Sequence, residues 1–177
     1  MNFSVIDSAG HELALITELG THKFEAVTCS PHADGFTVLN SLIGRAVPRA
    51  QLQAACDEAV SRNEVCVLPV AVSPKWRVLL TPTLRSLDAS TRLDASRLMT
   101  DLFQASQAKE VNVGSLLVTH FAYVRKYPEP HVLGILDALK TLSTGSFQNL
   151  RLLCFQMRPE LASLFEANVR GAFAAQL

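Results

Sequence analysis

From residue 87 onward the chain changes its hydrophobic period repeatedly and at similar intervals, and this alternation limits the fold more than any single motif. Leu87, Thr91, Ala95, Leu98, Leu102 and Ala105 recur at helical spacing, with Asp88 or Ser90 expected to cap the helix. Residues 111–119, VNVGSLLVT, then form an apolar run with no room for surface polarity, which predicts a central strand. Val132, Ile135, Leu136, Leu139 and Leu142 make the next helical stripe, and LRLLCFQ at 150–156 the next strand. After Pro159, Leu161, Leu164, Phe165, Asn168 and Val169 fall on a closing helix. Strands that are apolar on both faces and spaced by helices are buried most economically in a mostly parallel sheet, with right-handed crossovers and helices on both sides.

The first half fits the same scheme less regularly. Residues 1–10 read as a strand that stops at Gly10, and HELALI at 11–16 as a second strand or a helical turn. KFEAVTCS at 23–30 is a clearer strand, with Phe24, Ala26 and Thr28 on one side, Glu25, Val27 and Cys29 on the other, and Pro31 beyond it. Leu52, Ala55, Cys56, Ala59 and Val60 predict a helix from Gln51 to about Asn63, with Pro48 in its first turn. EVCVLPVAV at 64–72 reads as a strand buried on both faces in the middle of the sheet, followed by the strand WRVLLT at 76–81. At 177 residues, one domain spanning 1–177 is expected.

Hydrophobic residues make up 49% of the chain and charged ones 18%, so apolar surface is expected to spill onto a pocket wall, a protein partner or a second copy. Sixteen basic residues balance sixteen acidic ones and no basic run exceeds Arg125-Lys126, which disfavours nucleic-acid binding. No apolar run reaches the roughly 18 residues of a membrane span, and the amino terminus has no secretory pattern, so a cytoplasmic protein without membrane association is expected. The four cysteines, Cys29, Cys56, Cys66 and Cys154, stand singly and read as reduced, mostly packed thiols. Without HExxH, CxxC or a short His pair, no metal or cofactor is expected, and His11, His22 and His131 read as solvent-facing or capping residues.

In a parallel sheet, ligands bind beyond the carboxyl ends of the strands. That rule selects CSPHADG after Cys29, TPTLR at Thr81, THFAYVRKYPEP after the central strand, and QMRPE with Arg158. Cys29 with His32 and His120 is one conceivable nucleophile and base, against the simpler reading of Cys29 as a packed thiol. Gly44, Arg45, Arg125 and Lys126 offer phosphate contacts, although GxGxxG and GxxxxGK[ST] are both absent. Phe121, Tyr123 and Tyr127 either stack on a base, line a pocket or pack as a lid. Asp57 and Glu58 lack a facing acidic partner, which argues against two-carboxylate hydrolysis.

The order of these pieces resembles a macro domain, the module that generally recognises ADP-ribose. FEAVTCSPHAD at 24–34 is similar to the family's VDAIVNAAN strand and loop, LIGRAVPRAQLQAAC at 42–56 to its glycine-rich loop and helix, and LRLLCF at 150–155 to its last strand. LLVTHFAYVRKYP at 116–128 stands where the family carries an STGxFGYP-like phosphate loop. The resemblance implies a three-layer α/β/α sandwich with a mixed, mostly parallel sheet. It implies Gly44, Thr119, His120 and Phe121 as ligand-binding candidates, to which the strand-end rule adds Asp34 and Tyr123. Ser30-Pro31 replaces the family's Asn, Asp7 alone stands near the first strand, and neither loop carries the glycine cluster. The expected function is therefore a noncatalytic protein-interaction module; the alternative is binding of ADP-ribose or a related nucleotide, with or without weak hydrolysis.

Overall fold

The computed structural model describes residues 2–6, 12–16, 24–29, 47–69, 77–80, 91–119, 128–141, 149–156 and 162–168. Among them, β1 (Asn2–Ile6), β2 (Glu12–Ile16), β3 (Ala26–Cys29), β4 (Cys66–Pro69), β5 (Arg77–Leu80), β6 (Ser115–Val118) and β7 (Leu152–Gln156) form one sheet in the order β1-β2-β7-β6-β3-β5-β4. The inner strands β2, β7, β6, β3 and β5 run parallel, and β1 and β4 pair antiparallel at the two edges. Helix α1 (Arg49–Arg62) lies between β3 and β4, α2 (Arg92–Gln107) between β5 and β6, and α3 (Pro128–Thr141) between β6 and β7. A helical segment at 162–168 follows β7.

The period of two along each inner strand divides the core into two clusters. Ala26, Leu116, Val118, Leu153 and Phe155 face α2, α3 and the 162–168 segment, where they meet Leu98, Leu102, Ile135 and Phe165. Val27, Cys29, Leu117 and Cys154 face the other way, against Leu52 and Cys56 of α1. The result is the expected three-layer α/β/α sandwich with a mixed, mostly parallel sheet. Leu116 is fully buried on the central strand, a position worth about 1.5–3 kcal/mol of apolar transfer. The rings of Phe155 and Phe165 pack with centroids 5.3 Å apart.

Local chemistry sets the helix ends. Thr91 accepts from the Asp94 N–H at 3.2 Å while the Asp94 carboxylate accepts from the Thr91 N–H at 3.0 Å, a complete capping box. The cap is thus Thr91, one residue beyond Ser90; Asp88 and Ser90 lie outside the described residues. Pro48 sits just before α1 rather than within its first turn, and its carbonyl accepts from Gln51 and Leu52. Asn63 ends α1 in the left-handed region, at φ 52°, where a short polar side chain is tolerated. Helices α2 and α3 are clasped by a two-pronged Arg92–Asp137 ion pair, and the guanidinium holds the Asp137 carboxyl below its ordinary range.

Three further expectations are corrected. The 64–72 run does not supply a central strand: β4 is an antiparallel edge strand whose residues alternate between half-buried and exposed, because β5 pairs with it on one side only. His131 does not face solvent; it is buried in the first turn of α3. Phe24, ahead of β3, packs with Val27 and Cys29 and not on the side of Ala26. HELALI is a strand, β2, over residues 12–16. No helix among the described residues is long and apolar enough to cross a membrane.

Candidate functional site

Parallel pairing brings the carboxyl ends of β2, β7, β6, β3 and β5 to one edge of the sheet, as the partners Ile16↔Gln156, Val118↔Phe155 and Cys29↔Leu80 require. At β3 and β6 the outgoing connections diverge. From β3 the chain passes to α1 on the Cys29 face, and from β6 to α3 on the Leu116 face. Adjacent parallel strands whose connections leave over opposite faces form a topological switch point, the place where such a sheet opens a crevice. The parallel run also puts the exit of β2, after Ile16, at this edge, a segment the strand-end rule had not selected because β2 was ambiguous in sequence.

Thr28 and Thr119 floor this point. The β3–β6 ladder pairs Ala26 with Leu116 and Val27 with Leu117, and beyond it the side chains take over. The Thr119 N–H donates to Thr28 Oγ1 at 2.9 Å, and the Thr119 hydroxyl donates to the Thr28 carbonyl at 2.8 Å. That donation commits the Thr119 proton, so Thr28 is the donor in the 3.3 Å contact between the two hydroxyls. Both threonines are buried, which makes every bond of this clasp count against desolvation. At the other end of the same strands the Glu25 carboxylate accepts from the N–H groups of Gly114 and Ser115, and Ser115 Oγ accepts from the Glu25 N–H at 2.9 Å. Side chains therefore pin β3 against β6 at both ends.

Cys29 closes β3 one residue past Thr28. Its thiol is hydrogen-bonded to that of Cys56 on α1, and this contact, reinforced by burial, pushes the Cys29 thiol far up. The same bond lowers Cys56, with burial opposing it. A thiol held protonated is a poor nucleophile, so Cys29 fits the packed reading rather than that of an attacking group. Among the described residues no group of three or more His, Cys, Asp or Glu is arranged to hold a metal ion.

Of the ligand-binding candidates, Thr119 follows the end of β6 beside Thr28, while Asp34, Gly44, His120, Phe121 and Tyr123 lie outside the described residues. His32, Arg45, Trp76, Thr81, Arg125, Lys126, Tyr127 and Arg158 do so too. Thr28 is the contributor that sequence reasoning assigned only to a strand face; its signal was its place as the next-to-last residue of a strand beside the central one.

No protein-family model matches the chain, and no curated protein does. Solved structures do. A point variant of the Oceanobacillus iheyensis macrodomain with ADPR superposes with a TM-score of 0.66 at 10% identity, covering 97% of this chain and 98% of its own. This chain has the macrodomain fold. The Oceanobacillus iheyensis macrodomain with ADP gives a TM-score of 0.65 at 12% identity, covering 97% of this chain and 96% of the other. An alphavirus P23pro-zbd structure is similar over 89% of this chain and 23% of its own, with a TM-score of 0.60 at 9% identity. The architecture is thus shared with these structures at about one identical residue in ten. In this macrodomain-like fold the clasped ends of β3 and β6 sit at the switch point of the sheet.

Proposed function

We propose that this macrodomain binds ADP-ribose or a closely related nucleoside diphosphate in the crevice over β3 and β6. The observation that carries the reading is the likeness, over 97% of the chain, to macrodomain structures with ADPR and with ADP. The proposed contacts are Asp34 and Gly44 after β3, and Thr119, His120, Phe121 and Tyr123 at and after the end of β6. Gly44, lacking a Cβ, lets main-chain amides approach a diphosphate. Phe121 and Tyr123 offer faces for a base. Thr119, held by Thr28, fixes the point from which the second loop departs. The proposal is one of binding and assigns no catalytic residue, since Ser30-Pro31 stands where family members carry Asn.

Ligand binding accounts for the chain better than a role confined to protein contacts. Among the described residues, apolar side chains pack into a core on each face of the sheet. Among the described residues, the large hydrophobic side chains left exposed are Val67 and Leu93.

Calorimetric titration with ADP-ribose, ADP and inorganic phosphate, paired with thermal unfolding, tests this reading. Saturable heat with ADP-ribose is expected, lost in Phe121→Ala and Gly44→Val variants that keep the parent melting temperature without ligand. At ligand about 100 times Kd the folded state gains about 2.7 kcal/mol. No heat and no thermal shift at millimolar ADP-ribose would defeat the proposal and return the chain to the protein-interaction reading.

A further inference from the structure

The sheet forks between β3 and β6. On its outer side β3 stays paired with β5 as far as Cys29↔Leu80, and β6 stays paired with β7 as far as Val118↔Phe155. With each other, β3 and β6 share the partners Ala26↔Leu116 and Val27↔Leu117 and then part. Where the next rung would fall, the Thr119 N–H reaches Thr28 Oγ1 at 2.9 Å in place of a main-chain carbonyl, and the Thr119 hydroxyl returns to the Thr28 carbonyl at 2.8 Å. One hydroxyl side chain therefore spans the fork. Cohesion of the sheet does not require this, because one more main-chain rung would satisfy the same N–H. What the side chain adds is a fixed separation. Beyond Thr28 the chain leads to α1, and beyond Thr119 to α3 over the opposite face, so the roots of both connections are tied at this point.

We propose that Thr28 is a positioning residue of the binding crevice, an inference that rests on the ADP-ribose reading above: its hydroxyl holds the fork at a set width and fixes the root of the 120–127 connection. The side chain is fully buried and acts through Thr119. Thr28→Val keeps the shape and removes the acceptor. The Thr119 N–H then either stays unsatisfied, at a buried site where water does not replace the bond, or draws the strands together to reach a main-chain carbonyl. Both outcomes displace the root of the 120–127 connection. A ligand that needs both walls in place then meets the competent arrangement in fewer molecules, and its affinity falls in proportion. Thr28→Ser keeps the hydroxyl, and with it the acceptor. Glu25 supplies the control: its carboxylate pins the same two strands at their other end, through the N–H groups of Gly114 and Ser115, so Glu25→Ala weakens the same border away from the fork.

The experiment measures ADP-ribose affinity by calorimetry at a temperature where every variant is folded, and hydrogen exchange of residues 120–127 in the ligand-free chain. Thr28→Val is expected to lower the affinity by roughly tenfold or more and to speed that exchange by a similar factor. Thr28→Ser should stay within about twofold of the parent in both. Glu25→Ala should lower the urea midpoint and leave both unchanged. Parental affinity in Thr28→Val, no rescue by serine, or an equal loss of affinity in Glu25→Ala overturns the proposal. A parent that takes up no ADP-ribose defeats the binding reading by itself; the exchange comparison still decides whether Thr28 holds the connection, and equal exchange in Thr28→Val and the parent overturns that as well.

Discussion

Thr28 and Thr119 perform with side chains a task that main-chain groups perform along the rest of the β3–β6 border, and the two do not contribute equally. Thr28 Oγ1 is the acceptor for the buried Thr119 N–H, so Thr28→Val, nearly the same shape, leaves that N–H unsatisfied. The cost is expected at about 1–3 kcal/mol. Thr119→Val removes a donor from the Thr28 carbonyl but keeps the N–H bond, and should cost less. Urea denaturation of both variants checks this order; a larger loss for Thr119→Val contradicts it. Residue-level chemistry of this kind was only half legible in sequence. Thr119 stood out because it ends the apolar central run, but Thr28 reads as an ordinary β-former until the strand opposite is known. His131 misled for the same reason: a histidine between Pro130 and an apolar stripe suggests a side chain facing solvent, and only the packing of α3 shows it buried.

Elements were more legible than residues wherever their period reports their own surroundings. The helical stripes of α2 and α3 were legible because one face of each packs into the core, and the apolar runs of β6 and β7 because strands flank both, although the strand expected over 111–119 covers only 115–118, with a turn at 108–112 before it. The 64–72 run failed because hydrophobicity along a strand says nothing about how many strands lie beside it, and β4 has one. Contact between elements is likewise invisible to periodicity. Gly134 of α3 meets α2 so closely that an added Cβ would stand 2.5 Å from both the Ala95 Cβ and the Arg92 carbonyl oxygen, and 2.8 Å from the Ser96 nitrogen. Helix propensity favours alanine over glycine by about 1 kcal/mol, but overpacking of this severity costs about 1–3 kcal/mol. Gly134→Ala should therefore destabilise the fold despite its better propensity. Adding Ala95→Gly should not restore the parent midpoint, because two of the three clashes are with backbone atoms. Thermal melts of the single and double variants decide the point; full rescue would show that the helices separate more readily than this contact implies.

For the whole molecule, the position of a strand in the sheet outweighs its composition, and the proposed crevice rests on this. β6 lies between β7 and β3 with helices over both faces, while β4 lies at an edge; yet both are short apolar segments. The same substitution placed in each separates order in the sheet from hydrophobicity. Leu116→Asp puts a carboxylate where the side chain is fully buried, with Ala26 and Leu153 as its lateral strand neighbours. A charge there either ionises unpaired or is held neutral against its ordinary pKa, and both routes exceed about 4 kcal/mol, most of the stability of a domain this size. Val67→Asp falls on the edge strand at 37% exposure, where water solvates the carboxylate, and should cost less than about 1 kcal/mol. Circular dichroism and urea titration should show no cooperative transition for Leu116→Asp and a nearly parental one for Val67→Asp. Equal losses would mean that β4 is covered on its outer side and β6 is not central, and the divergence of connections on which the proposed crevice between β3 and β6 rests would lose its basis.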